Sequence, residues 1–311
     1  MSILDGIKRA FNIGGCAISV QTAAHSFPQG GAVDGVVSLT GGEVDQTADV
    51  LVVELDEYWT ETRSTGKSSR RVTVNQTRDS AILRRDLTIL PGGELTLPFS
   101  LKLPNNSRLS TSSTGWKIKV TMDIPMAIDP GKTVVLNVRP AEAFRAIVKT
   151  CEERLGFTEK DNSWKWSKEL TTSVRLLPMN ILKEDFDYLE FKLTQSGPAH
   201  AVTGRIVFNL QEKSFTDYLK ALLMMDRIEK PIRLTRSQLF HDDGSINGAE
   251  IEAVVRPMIE DIVNSRQQFS EAPTPKPVAK KPAPQQTAPK KTAPAPVKKT
   301  MKEIDPKMID G

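Results

Sequence analysis

Cysteine is almost missing from this chain. Among its 311 residues only Cys16 and Cys151 carry a thiol, far apart and without C-x-x-C spacing. A thiolate metal centre or redox pair is therefore not indicated, and a reduced, cytoplasmic protein is the expectation. Long apolar runs are missing as well. None approaches the roughly 18 residues that cross a bilayer, and the first residues lack the apolar core and small-residue cleavage site of a secretory signal. Histidine is limited to His25, His200 and His241, isolated from one another, and neither H-E-x-x-H nor G-x-S-x-G occurs. From Thr62 to Thr77 there is no acidic residue.

The formal charge of +4 is unevenly spread. Residues 271–311 hold nine lysines against Glu271, Glu303, Asp305 and Asp310, which leaves the rest of the chain at −1. A near-neutral body lacks the clustered cations that displace counterions from phosphate, so no nucleic acid is expected as a partner.

What the chain does have is strict alternation. Leu95, Leu97, Phe99, Leu101 and Leu103 are separated by Thr96, Pro98, Ser100 and Lys102. Trp116, Ile118, Val120, Met122 and Ile124 alternate with Lys117, Lys119, Thr121 and Asp123. Successive side chains of a strand point to opposite faces, so each segment predicts a strand with one dry and one wet face. Strands are expected at 16–22, 32–41, 48–62, 80–90, 94–103, 115–124 and 133–139. Turn residues such as Pro28-Gln29-Gly30-Gly31, Pro91-Gly92-Gly93 and Pro104-Asn105-Asn106 divide them. Short strands with no helical pattern between them predict an antiparallel sandwich over residues 16–140. Pro98 cannot donate a ladder hydrogen bond, which places its strand at an edge or marks a bulge.

The period then changes. Phe144, Ile147, Val148 and Cys151 predict a linking helix over 141–155, ended by Gly156. Strands are expected again at 163–172, 186–194 and 204–213, as a second β-sandwich domain, and 215–228 fits either strand or helix. Ile251, Val254, Val255, Met258, Ile259 and Ile262 form a helical stripe over 248–266, opened by Asn247 and Glu250 at capping-box spacing and interrupted by Pro257. Such a stripe must be covered, by the second domain or by another copy of the chain.

The domain reading is thus an N-terminal amphipathic helix over 1–15, a β-sandwich over 16–140, and linker helix, second sandwich and C-terminal helix over 141–268. The first of these has its apolar face on the body or on a second subunit, or alternatively on a membrane surface. A Pro/Lys/Ala segment over 269–300 is too poor in apolar residues to offset its chain entropy and is expected to be disordered. Apolar residues return in Met301, Ile304, Met308 and Ile309, a candidate docking peptide on a long tether.

Chemistry leaves little trace. Gly66-Lys67-Ser68 resembles the end of a phosphate-binding loop, but residue 61 is glutamate where that loop needs glycine. His241 to Gly248 is too short for a calcium loop and reads as a polar turn capping the next helix. No catalytic, cofactor or metal residues are assigned. Arg63, Lys67, Arg70 and Arg71 form the candidate contact for an acidic partner or for phospholipid headgroups.

The run Gly35-Val36-Val37-Ser38-Leu39-Thr40-Gly41-Gly42-Glu43-Val44-Asp45-Gln46 resembles the second strand and turn of the bacterial sporulation-control protein M family. So does Asp123-Ile124-Pro125-Met126-Ala127-Ile128-Asp129-Pro130, followed by Val138-Arg139-Pro140 and Leu155-Gly156-Phe157. The resemblance covers residues 10–160 well and 160–265 loosely. It implies an all-β fold of two tandem arrestin-like β-sandwich domains and a non-catalytic scaffold or adaptor in a stress or sporulation-type response. Its partners are expected to be proteins, including itself as a homodimer. The alternative expectation is a peripheral inner-membrane stress component in contact with anionic lipid.

Overall fold

The computed structural model describes residues 15–66, 68–125, 129–197, 201–211 and 227–270. The protein is mostly β, and its described residues up to 269 form one compact unit. Fourteen strands are described, arranged in three sheets.

The first lobe is built from β1 (Ala17–Thr22), β2 (Ser26–Pro28), β3 (Ala32–Thr40), β4 (Gln46–Thr65), β5 (Ser68–Ile89), β6 (Glu94–Lys102), β7 (Thr114–Asp123) and β8 (Gly131–Arg139). One sheet has the order β1-β3-β6 and the other β2-β8-β7-β4-β5. Their dry faces meet. Val37, Leu39, Phe99 and Leu101 come from the first sheet, and Leu51, Val53, Leu55, Trp116, Ile118 and Val120 from the second. Both alternating segments are strands in the expected phase, and β6, which carries Pro98, lies at a sheet edge. The short β2 pairs parallel to β8, a pairing the sequence did not suggest.

The expected strands at 48–62 and 80–90 are longer than the sequence indicated. β4 and β5 run as one hairpin with paired residues from Gln46↔Ile89 to Thr65↔Ser68. Its end is a tight turn at Gly66, whose φ of +61° glycine tolerates without strain. Val72, Thr73 and Val74 favour extended backbone, and the residues between the two expected strands continue as strand on both sides of the turn.

The second lobe contains α1 (Glu142–Arg154), β9 (Phe157–Glu159), β10 (Lys165–Trp166), β11 (Thr172–Pro178), a 3-10 turn (Asn180–Glu184), β12 (Phe186–Ser196), β13 (Ala201–Leu210), β14 (Arg227–Leu234), α2 (Arg236–Leu239) and α3 (Gly248–Ser270). Among the described residues it has one sheet, ordered β10-β11-β12-β13-β14 with β9 beside β11. Helices take the place where the sandwich reading put a second sheet. Phe144, Ile147 and Cys151 of α1, together with Ile251, Val255, Ile259 and Ile262 of α3, close over Leu189, Phe191, Leu193, Ile206 and Phe208. The reason is geometric: both helices carry apolar stripes at the 3.6-residue period, and the sheet supplies the dry face that covers them. Ile251, Val255, Ile259 and Ile262 of the α3 stripe are therefore covered within the chain. Gly156, with φ +75°, follows α1 as anticipated. Residues 1–14 of the expected N-terminal helix, residues 215–226 of the segment that fits either strand or helix, and the segment 271–311 lie outside the described residues.

Candidate interaction sites: the hairpin arm and the junction between lobes

β7 pairs with β4 only from Val50↔Asp123 to Trp59↔Thr114. Beyond Trp59 the β4–β5 hairpin leaves the sheet and continues two-stranded for about 20 Å at roughly 3.3 Å per residue. This arm carries the cations singled out in the sequence. Arg63 lies directly across from Arg70, and Thr62 from Arg71. Alternation then puts Arg63 and Arg70 on the face that holds Trp59 and Val74, and Arg71 on the opposite face. Arg63 Nε donates to Glu61 Oε1 at 2.7 Å and holds that carboxyl below its usual range, with Lys168 adding a smaller push in the same direction. Arg70 and Arg71 are exposed and have no carboxylate within ion-pair distance among the described residues. Lys67, and the docking-peptide residues Met301, Ile304, Met308 and Ile309, lie outside the described residues.

At the base of the arm the structure assembles a second feature that the sequence did not disclose. Glu57 faces the sandwich interior next to Trp116 and is 1% exposed. A buried carboxylate needs close cations. One is Arg78, the extra residue of a bulge in β5, since Leu55 pairs with Asp79 and Asp56 with Thr77. The bulge aims Arg78 at Glu57, and its Nε donates to Glu57 Oε2 at 2.7 Å. The other is Arg108, whose Nη1 is 3.1 Å from Glu57 Oε1. Trp116 Nε1 donates to the Arg108 carbonyl at 2.8 Å and fixes that backbone.

Arg108 also bridges the lobes. Its guanidinium lies 3.9 Å from the ring centroid of Trp59 and 4.4 Å from that of Trp166, on β10 of the second lobe. The surrounding loop is tied down on both sides. Trp166 Nε1 donates to the Asn106 carbonyl at 2.8 Å. The Asn106 amide pairs with the Gln195 backbone as an added strand residue would, accepting from its N–H at 3.0 Å and donating to its carbonyl at 3.2 Å. Gln29, 2% exposed, donates from Nε2 to the Ser107 carbonyl and to Thr172 Oγ1 (3.0 Å), while its Oε1 accepts from the Ala141 N–H at 3.3 Å. The next residue, Gly30, leaves room for Asn105 and Gln195, which a Cβ there would meet at 2.8 and 2.9 Å.

Two grooves lie beside this junction. One, of about 260 Å³, is lined by Pro28 and Gly30 of the first lobe and by Gln195, Arg236 and Phe240 of the second. Another, of about 470 Å³, runs between α1 and the turn after α2, with Arg145, Lys149, Glu152 and Glu153 on one side and Phe240 and Ile246 on the other. His25 precedes β2 in the first lobe and His241 follows α2 in the second, while His200 lies outside the described residues. Among the described residues no three His, Cys, Asp or Glu side chains group to hold a metal ion, and no helix is long and apolar enough to cross a membrane.

The fold and these features define a two-lobed β protein, a sandwich fastened through a polar junction to a helix-covered sheet, with a cationic hairpin projecting from the sandwich. The chain belongs to the SpoOM protein family, whose model matches residues 5–177. Among solved structures it is similar in fold to Spo0M, the sporulation control protein from Bacillus subtilis. The two are 17% identical with a TM-score of 0.53, over 80% of this chain and all of that one. No curated protein matches the chain.

Proposed function

We propose that this chain is a non-catalytic, arrestin-like scaffold or adaptor that regulates a stress or sporulation-type response through protein–protein contacts. The observation that carries this reading is the junction. Gln29, Asn106 and Arg108 are buried or half-buried polar groups of the first lobe, and each is spent on a contact with the second, to Thr172, Gln195 and Trp166 respectively. Rigid presentation of two surfaces suits recognition, because a preorganised surface loses little freedom on binding. The name of the Bacillus protein, sporulation control, supports a regulatory role in this family. Partners are proteins, a further copy of this chain among them, and the site of action is the cytoplasm. Residues 269–311 supply a second, tethered contact.

Proximity labelling in the native cell tests the reading, with the intact chain, a version ending at Gln268, and an Arg108→Ala variant. A defined partner set that shrinks when the junction is broken is expected. Equal labelling by intact and Arg108→Ala protein removes the junction from the function. Labelling no different from a free-enzyme control overturns the scaffold reading.

A further inference from the structure

We propose that the outer edge of β5 takes up an acidic, extended polypeptide segment as an added strand. This inference deepens the scaffold reading and rests on it. β5 is 22 residues long and ends its sheet, paired among the described residues only with β4. At Asp79 the end of β6 closes in, since the Lys102 N–H donates to Asp79 Oδ2 at 2.7 Å. Residues 69–78 lie beyond that contact and present an edge about 33 Å long at roughly 3.3 Å per residue. An open edge of that length is a template for another strand unless something blunts it. Two other end strands, β6 and β14, are interrupted by Pro98 and Pro231, which have no N–H to offer. Residues 69–78 contain no proline.

Charge selects the occupant. Arg70 and Arg71 are neighbours on one strand, so they stand on opposite faces of the arm. Arg63 faces Arg70 across the hairpin, a like-charge pairing that destabilises an isolated ribbon. A strand laid along β5 has side chains on both faces, and two adjacent carboxylates on it would meet Arg70 on one face and Arg71 on the other. A second copy of β5 is a poor occupant, because two such edges bring arginine toward arginine. A bilayer fits badly too. The tip reads Ser64-Thr65-Gly66-Lys67-Ser68-Ser69, with no apolar residue to insert, and a flat surface meets only one face of the ribbon.

The test uses the full chain and a labelled synthetic peptide in which Glu-Glu pairs alternate with Val-Thr pairs, so that both faces carry carboxylates, followed by fluorescence anisotropy. Binding that weakens with added salt is expected. The Arg70→Glu/Arg71→Glu variant should lose at least about tenfold in affinity. The same peptide methylated on alternate backbone nitrogens should lose a similar factor, and one with Lys in place of Glu should not bind. Bound parent peptide should protect amides of residues 69–78 from hydrogen exchange. The methylated-peptide comparison needs no protein variant, so it holds even where the double variant misfolds. Undiminished binding of the methylated peptide, unchanged affinity in the folded double variant, or no binding of the parent peptide overturns the inference. Binding to phosphatidylserine vesicles without binding to the peptide overturns it in favour of a lipid contact. Partner labelling that persists unchanged in the double variant sinks the edge and leaves the scaffold standing, whereas absent labelling by the intact chain sinks the scaffold itself.

Discussion

The guanidinium of Arg108 lies 4.4 Å from the ring centroid of Trp166, one side chain from each lobe. The same guanidinium neutralises Glu57, so a single residue couples the sandwich interior to the second lobe. Arg108→Ala removes one of two cations from a buried carboxylate and should cost about 3 kcal/mol in urea unfolding. Lys at this position keeps the charge but loses the flat stack between two rings, and should recover only part of that loss. A double-mutant cycle of Arg108→Ala with Trp166→Ala should give a coupling of about 1 kcal/mol, as expected for a largely desolvated cation–π pair. A coupling near zero would show that the two side chains are merely neighbours.

Gly204 of β13 and Gly115 of β7 should respond differently to alanine. At Gly204 a Cβ would overlap the carbonyl of Lys192 on the paired strand β12, so the backbones must separate. At Gly115 the obstacle is the Tyr58 ring, which lies over the glycine from β4 and can swing at its outer end. Gly204→Ala should lose roughly 2–3 kcal/mol, and Gly115→Ala distinctly less. Chemical denaturation of both variants under one set of conditions checks the order.

These residues also mark how far the sequence can be read. β6 and β7 were legible because one face of each is dry and the other wet, which writes a two-residue period into the chain. The α3 stripe was legible for the corresponding helical reason. The arm was not, because Thr62, Arg63, Arg70 and Arg71 are wet on both faces and leave no alternation to see. The junction was hidden by a different cause. Gln29, Asn106, Thr172 and Gln195 are polar, and only contacts across the fold bury them or tie them together, so Pro104-Asn105-Asn106 read simply as a turn. The helix-covered sheet of the second lobe was mistaken for a sandwich because the stripes of α1 and α3 were read apart from the strands they cover.

Both thiols should be inert in the native protein. Cys151 is 1% exposed on the inner side of α1, and burial, with a smaller contribution from Glu152, pushes its pKa far above the ordinary thiol value. Burial also raises Cys16, which is 6% exposed. The thiolate is the reactive form, so titration with a disulfide reagent at neutral pH should find no fast-reacting group in the folded chain. After denaturation it should find both of the 2 cysteines. A fast thiol in the native protein would contradict the packing of α1 against the sheet of the second lobe, if it proved to be Cys151.

Glu159 gives the fold a pH dependence of definite sign. It ends β9, and Trp164 Nε1 donates to its Oε1 at 2.7 Å. Burial raises its pKa from the ordinary 4.5, more than the Trp164 hydrogen bond and Arg145 lower it, and Glu152 and Asp161 add to the rise. The folded state therefore holds this proton more tightly than the unfolded chain. Stability from that difference is fully present below the unfolded value and is lost as pH rises through the higher folded one. Glu159→Gln keeps an oxygen to accept from Trp164 and removes the titration. Relative to this variant, the wild-type protein should be at its best in acid and should lose ground as pH climbs past 4.5, levelling off above the folded pKa. Paired urea melts across that range read the difference directly. A difference that stays constant, or that moves in the wild-type protein's favour as pH rises, would mean that the carboxylate at the end of β9 is better solvated or better paired than its position against Trp164 implies.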